Sequence, residues 1–484
     1  MSSIKTNVLY SSILTVANYL FPLITYPYVN RVLGVTNIGT CNFVDSIVSY
    51  YILFSMLGMT TMGIREIAKA KDKGQEELSS TFSGLMLING ISTLIAIVAL
   101  VGSIFLVPKF RDYSDLLIVG VFKVLFNYLL IEWFYRGLED FKYITNRSIL
   151  VRILYVVLIF IFVREPEDYL LYYVLTVATI VLNALINIVY SKKFVSFKLS
   201  RLTIKPYIKP FIILGVYGLL TSMYTTFNSA YLGFVANDTE VGYYTTATRL
   251  HVFILALFTA FTSVMMPRLS NLASKGSMEE FRELCSKSVL ILYTFSFPVM
   301  VYCFCFSTEI IDVLAGGGFE KASVCFQVII PNVLIVGLEQ IFITQVLLTL
   351  SKDKAVLINS IIGATIGLVS NFVLVSGFQS VGSSIVWLFS ELSVLLSAIY
   401  FVNRIDSSFL TPLKGMIREV LLAIPILVVL FFLAGHNAHS VVKLLLGLFV
   451  LCLYYYVVYY HFVKNSIVLY VMDSLKHRFF QKII

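Results

Sequence analysis

Apolar runs of about 20 residues recur from one end of this chain to the other, each long enough to cross the roughly 30 Å hydrocarbon core of a bilayer as a helix. Periodicity and run length place such helices at 7–30, 41–64, 81–107, 115–135, 145–163, 168–190, 211–236, 241–266, 288–312, 323–350, 355–376, 380–403, 416–435 and 440–463. No loop between them is long enough to form a soluble domain. Only 13% of the 484 residues are charged and mean hydropathy is +0.89, whereas a soluble domain carries about 25% charged residues. The expected fold is therefore all-α and integral to a membrane, with about 14 transmembrane helices.

A net charge of +9 could point to nucleic acid, so the placement of the basic residues decides its meaning. Numbering the loops alternately, one set carries Arg31, Lys109, Arg111, Arg164, Lys321 and Lys443. Lys123, Arg152 and Arg249 fall within helices, and the other 27 of the 36 Lys and Arg lie in the opposite set of loops. By the positive-inside rule both termini are expected in the cytoplasm, and the charge is explained with no nucleic-acid partner. The six cysteines have no metal-ligand spacing, only His251 of the five histidines is in a helix, and the sequence contains no P-loop. Neither a metal, an ATP site nor any other cofactor is expected. The first helix reads as retained rather than as a cleaved signal.

An internal repeat organises the bundle. Ile38-Gly39, Arg65 and Glu76-Glu77 recur as Val241-Gly242, Arg268 and Glu279-Glu280, at a constant offset of 203 residues. Six helices separate the copies, so the two halves enter the membrane the same way round, as parallel lobes about the membrane normal. The expected organisation is an N-terminal lobe at 1–190, a basic linker at 191–210, a C-terminal lobe at 211–403, and helices 13 and 14 with a tail at 404–484. Two six-helix lobes around a central cavity suit alternating access.

Ionisable groups inside a helix cost about 2.5–3.5 kcal/mol each on insertion scales, which makes them functional candidates. Arg249 lies eight residues into its helix, about 12 Å along the axis. Arg152 and Lys123 are expected to face inward, and Arg31 sits at the outer end of a helix, which favours an interface role over a ligand contact. Asp45 matches Thr248 at the repeat offset and so falls at a depth similar to Arg249, which suggests gating. Glu339 and Glu391 are the intramembrane carboxylates best placed for coupling to H+ or Na+. For each the competing reading is a strut between helices. Glu132 and Arg136, four apart, read as a structural pair.

Several segments resemble the polysaccharide transporter family, the Wzx-type flippases within the multidrug/oligosaccharidyl-lipid/polysaccharide exporter superfamily. They are Glu132-Trp133-Phe134-Tyr135-Arg136-Gly137-Leu138-Glu139-Asp140-Phe141, Gly63-Ile64-Arg65-Glu66-Ile67-Ala68-Lys69, and Val241-Gly242-Tyr243-Tyr244-Thr245-Thr246-Ala247-Thr248-Arg249-Leu250. The resemblance implies a flippase, not an enzyme, that turns undecaprenyl-pyrophosphate-linked O-antigen or capsule repeat units to the outer leaflet of the bacterial inner membrane. Its implied partners are that lipid-linked oligosaccharide, the bilayer and polysaccharide assembly proteins. Arg249, Arg152, Lys123 and Arg31 would then serve substrate binding. A multidrug or lipid II exporter on the same frame, or a membrane-embedded glycan polymerase or ligase, are the alternatives.

Overall fold

The computed structural model describes residues 4–197, 204–465, 468 and 469, and all regular secondary structure among them is helical. Among the described residues, twelve stretches are long and apolar enough to span a membrane. Two of these, Leu9–Lys73 and Asp353–Ile405, run for 65 and 53 residues, about 100 and 80 Å at 1.5 Å per residue. Each must therefore hold two crossings, which gives the expected fourteen.

The breaks within these long stretches are local and have identifiable causes. Helix α1 (Ile4–Met56) is interrupted at Gly34, whose φ of 74° suits a residue without Cβ. The segment 31–40, expected to be a loop, is helical on either side of that point. Leu57, at φ 33°, and Gly58 then separate α1 from the amphipathic α2 (Met59–Ala70), where one helix over 41–64 was expected. After α3 (Gln75–Leu106) and the short α4 (Pro108–Arg111), the crossing expected at 115–135 is also split. It comprises α5 (Ser114–Leu129) and α6 (Glu132–Gly137), with Ile131 between them at φ 36°. A β-branched residue at positive φ is a strained backbone position.

Helix α7 (Phe141–Phe162) shows how the membrane reverses ordinary amphipathicity. Leu150, Ile153, Leu154, Val157 and Ile161, spaced on one helical face, are exposed, whereas Ile144, Thr145, Arg147, Ser148 and Val151 are buried. Apolar side chains meet the hydrocarbon and the polar ones turn inward. This also corrects the reading of Arg147 as a loop residue. Asp140 caps the helix by accepting the Tyr143 N–H, so the helix begins four residues before the expected 145; Arg147, counted with the loop cations although it falls at the third position of the expected helix, is buried in the bundle.

The remaining helices are α8 (Tyr169–Ser191), α9 (Lys205–Thr225), α10 (Phe227–Val235), α11 (Asp238–Ser274), α12 (Met278–Cys305), α13 (Ser307–Ala315) and α14 (Glu320–Ile329). Then come α15 (Asn332–Glu339), α16 (Asp353–Ser370), α17 (Ser376–Ile405), α18 (Met416–Ala434) and α19 (Ser440–Tyr454). Gln340–Leu348, Asn371–Val375 and Tyr455–Phe462 are π-helical continuations, and α17 bends at Gln379. Of the expected linker, residues 198–203 lie outside the described residues, and Lys205 and Lys209 already belong to α9. The tail residues Lys476, Arg478 and Lys482 lie outside them too.

By packing, the chain falls into two compact units. One unit contains residues up to Arg249 with Ala315–Phe319 and Leu357–Ser393; the other contains Leu250–Leu314, Glu320–Val356 and the chain from Val394. Within the second unit, α18 and α19 are tied to α12. Tyr455 donates to the Thr294 carbonyl at 2.8 Å, Tyr302 to the Leu444 carbonyl at 3.0 Å, and Tyr459 to the fully buried Glu419 carboxylate at 2.7 Å.

Candidate functional site

The first unit brings equivalent positions of the two repeats together. Thr36 and Thr239 share a hydroxyl hydrogen bond of 2.9 Å, and Asn42 donates to the Thr245 hydroxyl at 2.8 Å. Both pairs are 203 residues apart. Between them, a Cβ on Gly39 would overlap the Asp238 carbonyl oxygen, and one on Gly242 would overlap that of Val35. Side chains are excluded at both glycines so that the two backbones can touch. Asp238 adds two bonds, accepting from Thr40 at 2.7 Å and from Tyr113 at 2.9 Å. The seam continues along α1, with Tyr50 donating to the Ser222 carbonyl and the Gly58 N–H to the Phe211 carbonyl.

Arg249 stands beside this contact. Its Nη2 donates to Asn42 Oδ1 at 2.7 Å, and the guanidinium lies 4.6 Å from the centroid of the Tyr26 ring, whose hydroxyl bonds Thr246 at 3.0 Å. These contacts come from a neutral amide and an aromatic face, so they orient the charge without cancelling it. Asp45 does not meet Arg249 through a direct ion pair. It pairs instead with Lys123, which is buried, and accepts a further bond from Tyr173 at 3.3 Å.

A second buried cation was absent from the sequence candidates. Arg147 donates to Glu132 Oε1 at 2.7 Å and to the Asn187 side-chain oxygen, which also accepts from Tyr143 at 2.9 Å. Glu132 meets Arg136 more loosely at 3.7 Å, as a structural i,i+4 pair would. The place of Arg147 inside the expected helix 145–163 is the signal available in the sequence, since an ionisable group within a membrane helix is a candidate. Asn42, Tyr26 and Asn187 carry no charge, so nothing in the sequence marks them.

The other candidates are placed as follows. Arg152 in α7 has its Nη1 buried with no hydrogen-bond partner. Arg31 packs its side chain over Gly316, where a Cβ would lie 2.9 Å from Arg31 Cγ, an interhelical position. Glu391, buried in α17, accepts from Trp387 Nε1 at 2.7 Å within the first unit. Glu339, buried at the end of α15, belongs to the second unit and precedes the π-helical Gln340–Leu348.

Comparison with known proteins bears on this arrangement. Residues 4–273 match the family described as "Polysaccharide biosynthesis protein". The chain is 25% identical to a protein of Escherichia coli named "Putative O-antigen transporter", over 83% of this chain and 97% of that one. It is 24% identical to a "Probable low-salt glycan biosynthesis flippase" of Haloferax volcanii, over 38% of this chain and 39% of the other. Among solved structures, the lipid II flippase MurJ in an inward closed conformation superposes with a TM-score of 0.78 at 15% identity, covering 94% of this chain and all of that one. At that identity the likeness concerns the fold.

Proposed function

Since this chain belongs to the polysaccharide biosynthesis protein family, a family of multi-pass membrane transporters and not of enzymes, we propose that it flips an undecaprenyl-pyrophosphate-linked oligosaccharide across the bacterial inner membrane. Transport runs from the inner to the outer leaflet by alternating access, with both termini in the cytoplasm. It supplies O-antigen, capsule or a related surface polymer, alongside the proteins that assemble that polymer.

The observation that carries this reading is Arg249. A guanidinium inside a membrane helix, held by Asn42 and the Tyr26 ring and not by a carboxylate, is a positive charge left available for an anion. A pyrophosphate suits it, because the planar fork can take two phosphate oxygens at once. The contact at Gly39 and Gly242 lies next to that charge, so opening it would alter the surroundings of the bound phosphate. The unpartnered Nη1 of Arg152 is a second anion contact. Lys123, neutralised by Asp45, is assigned to positioning, and Arg31 to the interhelical contact at Gly316. Glu391 and Glu339 are assigned to H+ or Na+ coupling.

The decisive experiment is deletion of the gene. Lipid-linked repeat units should accumulate facing the cytoplasm while surface polymer disappears and glycan assembly on the carrier continues. Single repeat units reaching the outer leaflet normally in that strain would overturn the flippase reading in favour of a polymerase or ligase. In reconstituted vesicles, transport should require an imposed H+ or Na+ gradient, and undiminished concentrative transport by a Glu339→Gln, Glu391→Gln double variant would remove both residues from coupling.

A further inference from the structure

Two of the helix breaks described above open onto one cavity of about 410 Å³, lined by both Leu57 and Ile131. That volume lies within the roughly 300–1,000 Å³ of small-molecule sites. A helix that stops leaves its last carbonyls without intrahelical donors. Here α1 and α5 both stop at the cavity and α2 and α6 start there, so C-terminal and N-terminal helix ends, with their carbonyls and N–H groups, border the same space. The polar side chains on the wall are Ser49, Thr60, Asn127, Glu132, Trp133 and Arg136. Trp133 is 2% exposed, and its indole N–H is buried and makes no hydrogen bond. Its ring lies against Gly63, where a Cβ would come within 2.7 Å of it.

The chemistry of this wall discriminates among ligands. An anion such as phosphate offers acceptors only, so it could not donate to the Glu132 carboxylate or to the carbonyls at the ends of α1 and α5. A cation would compete for Glu132 with Arg147 and Arg136, which already hold it. A polyol donates and accepts through every hydroxyl, so it can donate hydrogen bonds to Glu132 and to backbone carbonyls at the breaks while accepting from Trp133, Asn127 and Arg136. We propose that this cavity is a saccharide subsite, separate from the charge at Arg249, which engages one sugar of the transported glycan. The proposal rests on the flippase reading. It assigns recognition of the glycan to the two strained breaks, where the backbone departs from helix to present its polar groups.

The chain has two tryptophans, which makes Trp133 its own probe. Full-length protein labelled with 5-fluorotryptophan gives two ¹⁹F resonances, assigned with a Trp387→Phe sample used for assignment alone. The titrant is the repeat-unit oligosaccharide released by mild acid from the producing cell's own lipid carrier. The Trp133 resonance should shift saturably, and inorganic pyrophosphate should leave it in place. Asn127→Ala and Ser49→Ala should each weaken binding by about 3- to 10-fold, the loss of one hydrogen bond. A Trp133 shift that pyrophosphate alone saturates, an oligosaccharide titration with no shift, or unchanged affinity in whichever of the two variants folds would each overturn the proposal. Failure of the flippase reading would appear elsewhere, as normal surface polymer in the deletion strain.

Discussion

Arg249 and Arg147 are both guanidiniums inside membrane helices of the same unit, yet their surroundings are opposite. Arg147, 5% exposed, is bound by the Glu132 carboxylate and the Asn187 oxygen. Arg249 rests on the Asn42 oxygen and the Tyr26 ring. A buried charge that has its counter-ion in the protein is a structural element, because removing either partner strands the other in low dielectric. A charge oriented by neutral groups keeps most of its field, and an external anion can supply what the protein omits. Lys123, held by Asp45, falls with Arg147. Packing thus sorts by partner the residues that sequence could only collect as intramembrane cations.

The largest expected effect tests the structural side of this contrast. Arg147→Ala leaves Glu132 and Asn187 without their donor and should destabilise the protein by about 3–5 kcal/mol, read as loss of folded protein in membranes and a lower Tm in detergent. Wild-type abundance and Tm would show that Arg147 is not the strut described. Next comes Lys123→Met, which should destabilise by about 2–3 kcal/mol, with at least half of that recovered in the Lys123→Met, Asp45→Asn double variant. Additive losses in a double-mutant cycle would break the pair.

Arg249→Ala should behave differently. It loses its hydrogen bonds to Asn42 and Tyr172 and the contact with the Tyr26 ring but strands no carboxylate, so its stability should fall by only about 1–2 kcal/mol. Transport by the folded protein should drop at least about tenfold, equivalent to roughly 1.4 kcal/mol of lost anion binding, while Arg249→Lys retains part of it. If Arg249→Ala instead disappears from the membrane as Arg147→Ala does, the two sites are alike and the comparison fails. The smallest effect is expected at Arg136, half-exposed and 3.7 Å from Glu132, where alanine should change stability by about 0–1 kcal/mol. A thermal shift as large as that of Arg147→Ala would move Arg136 into the same buried network.

Much of the fold is legible in the sequence because the membrane imposes a simple rule on it. Runs of apolar residues must be helices of a set length, so the number of crossings follows from counting the runs. Boundaries are less legible where the backbone deviates within an apolar run. Leu57, Ile131 and Gln379 take positive φ with no glycine at those positions to announce it. The helix start at Phe141 is announced by Asp140, and Arg147, near the start of the expected helix, is counted with the neighbouring loop cations. The repeat is visible as a constant offset. That Gly39 and Gly242 touch cannot be read from it, since an offset states equivalence and not proximity.

Sequence alone therefore determined the crossings, their helical character, the constant 203-residue offset of recurring motifs and the family resemblance, all of which follow from local composition and spacing. Tertiary structure decided which charges are neutralised, because a counter-ion such as Asp45 for Lys123, 78 residues away, is brought close only by packing. It also decided that two helix breaks face one cavity. In a bundle of similar apolar helices, hydrophobicity drives every segment into the membrane equally, and only the close fit of small residues and polar partners selects which faces meet.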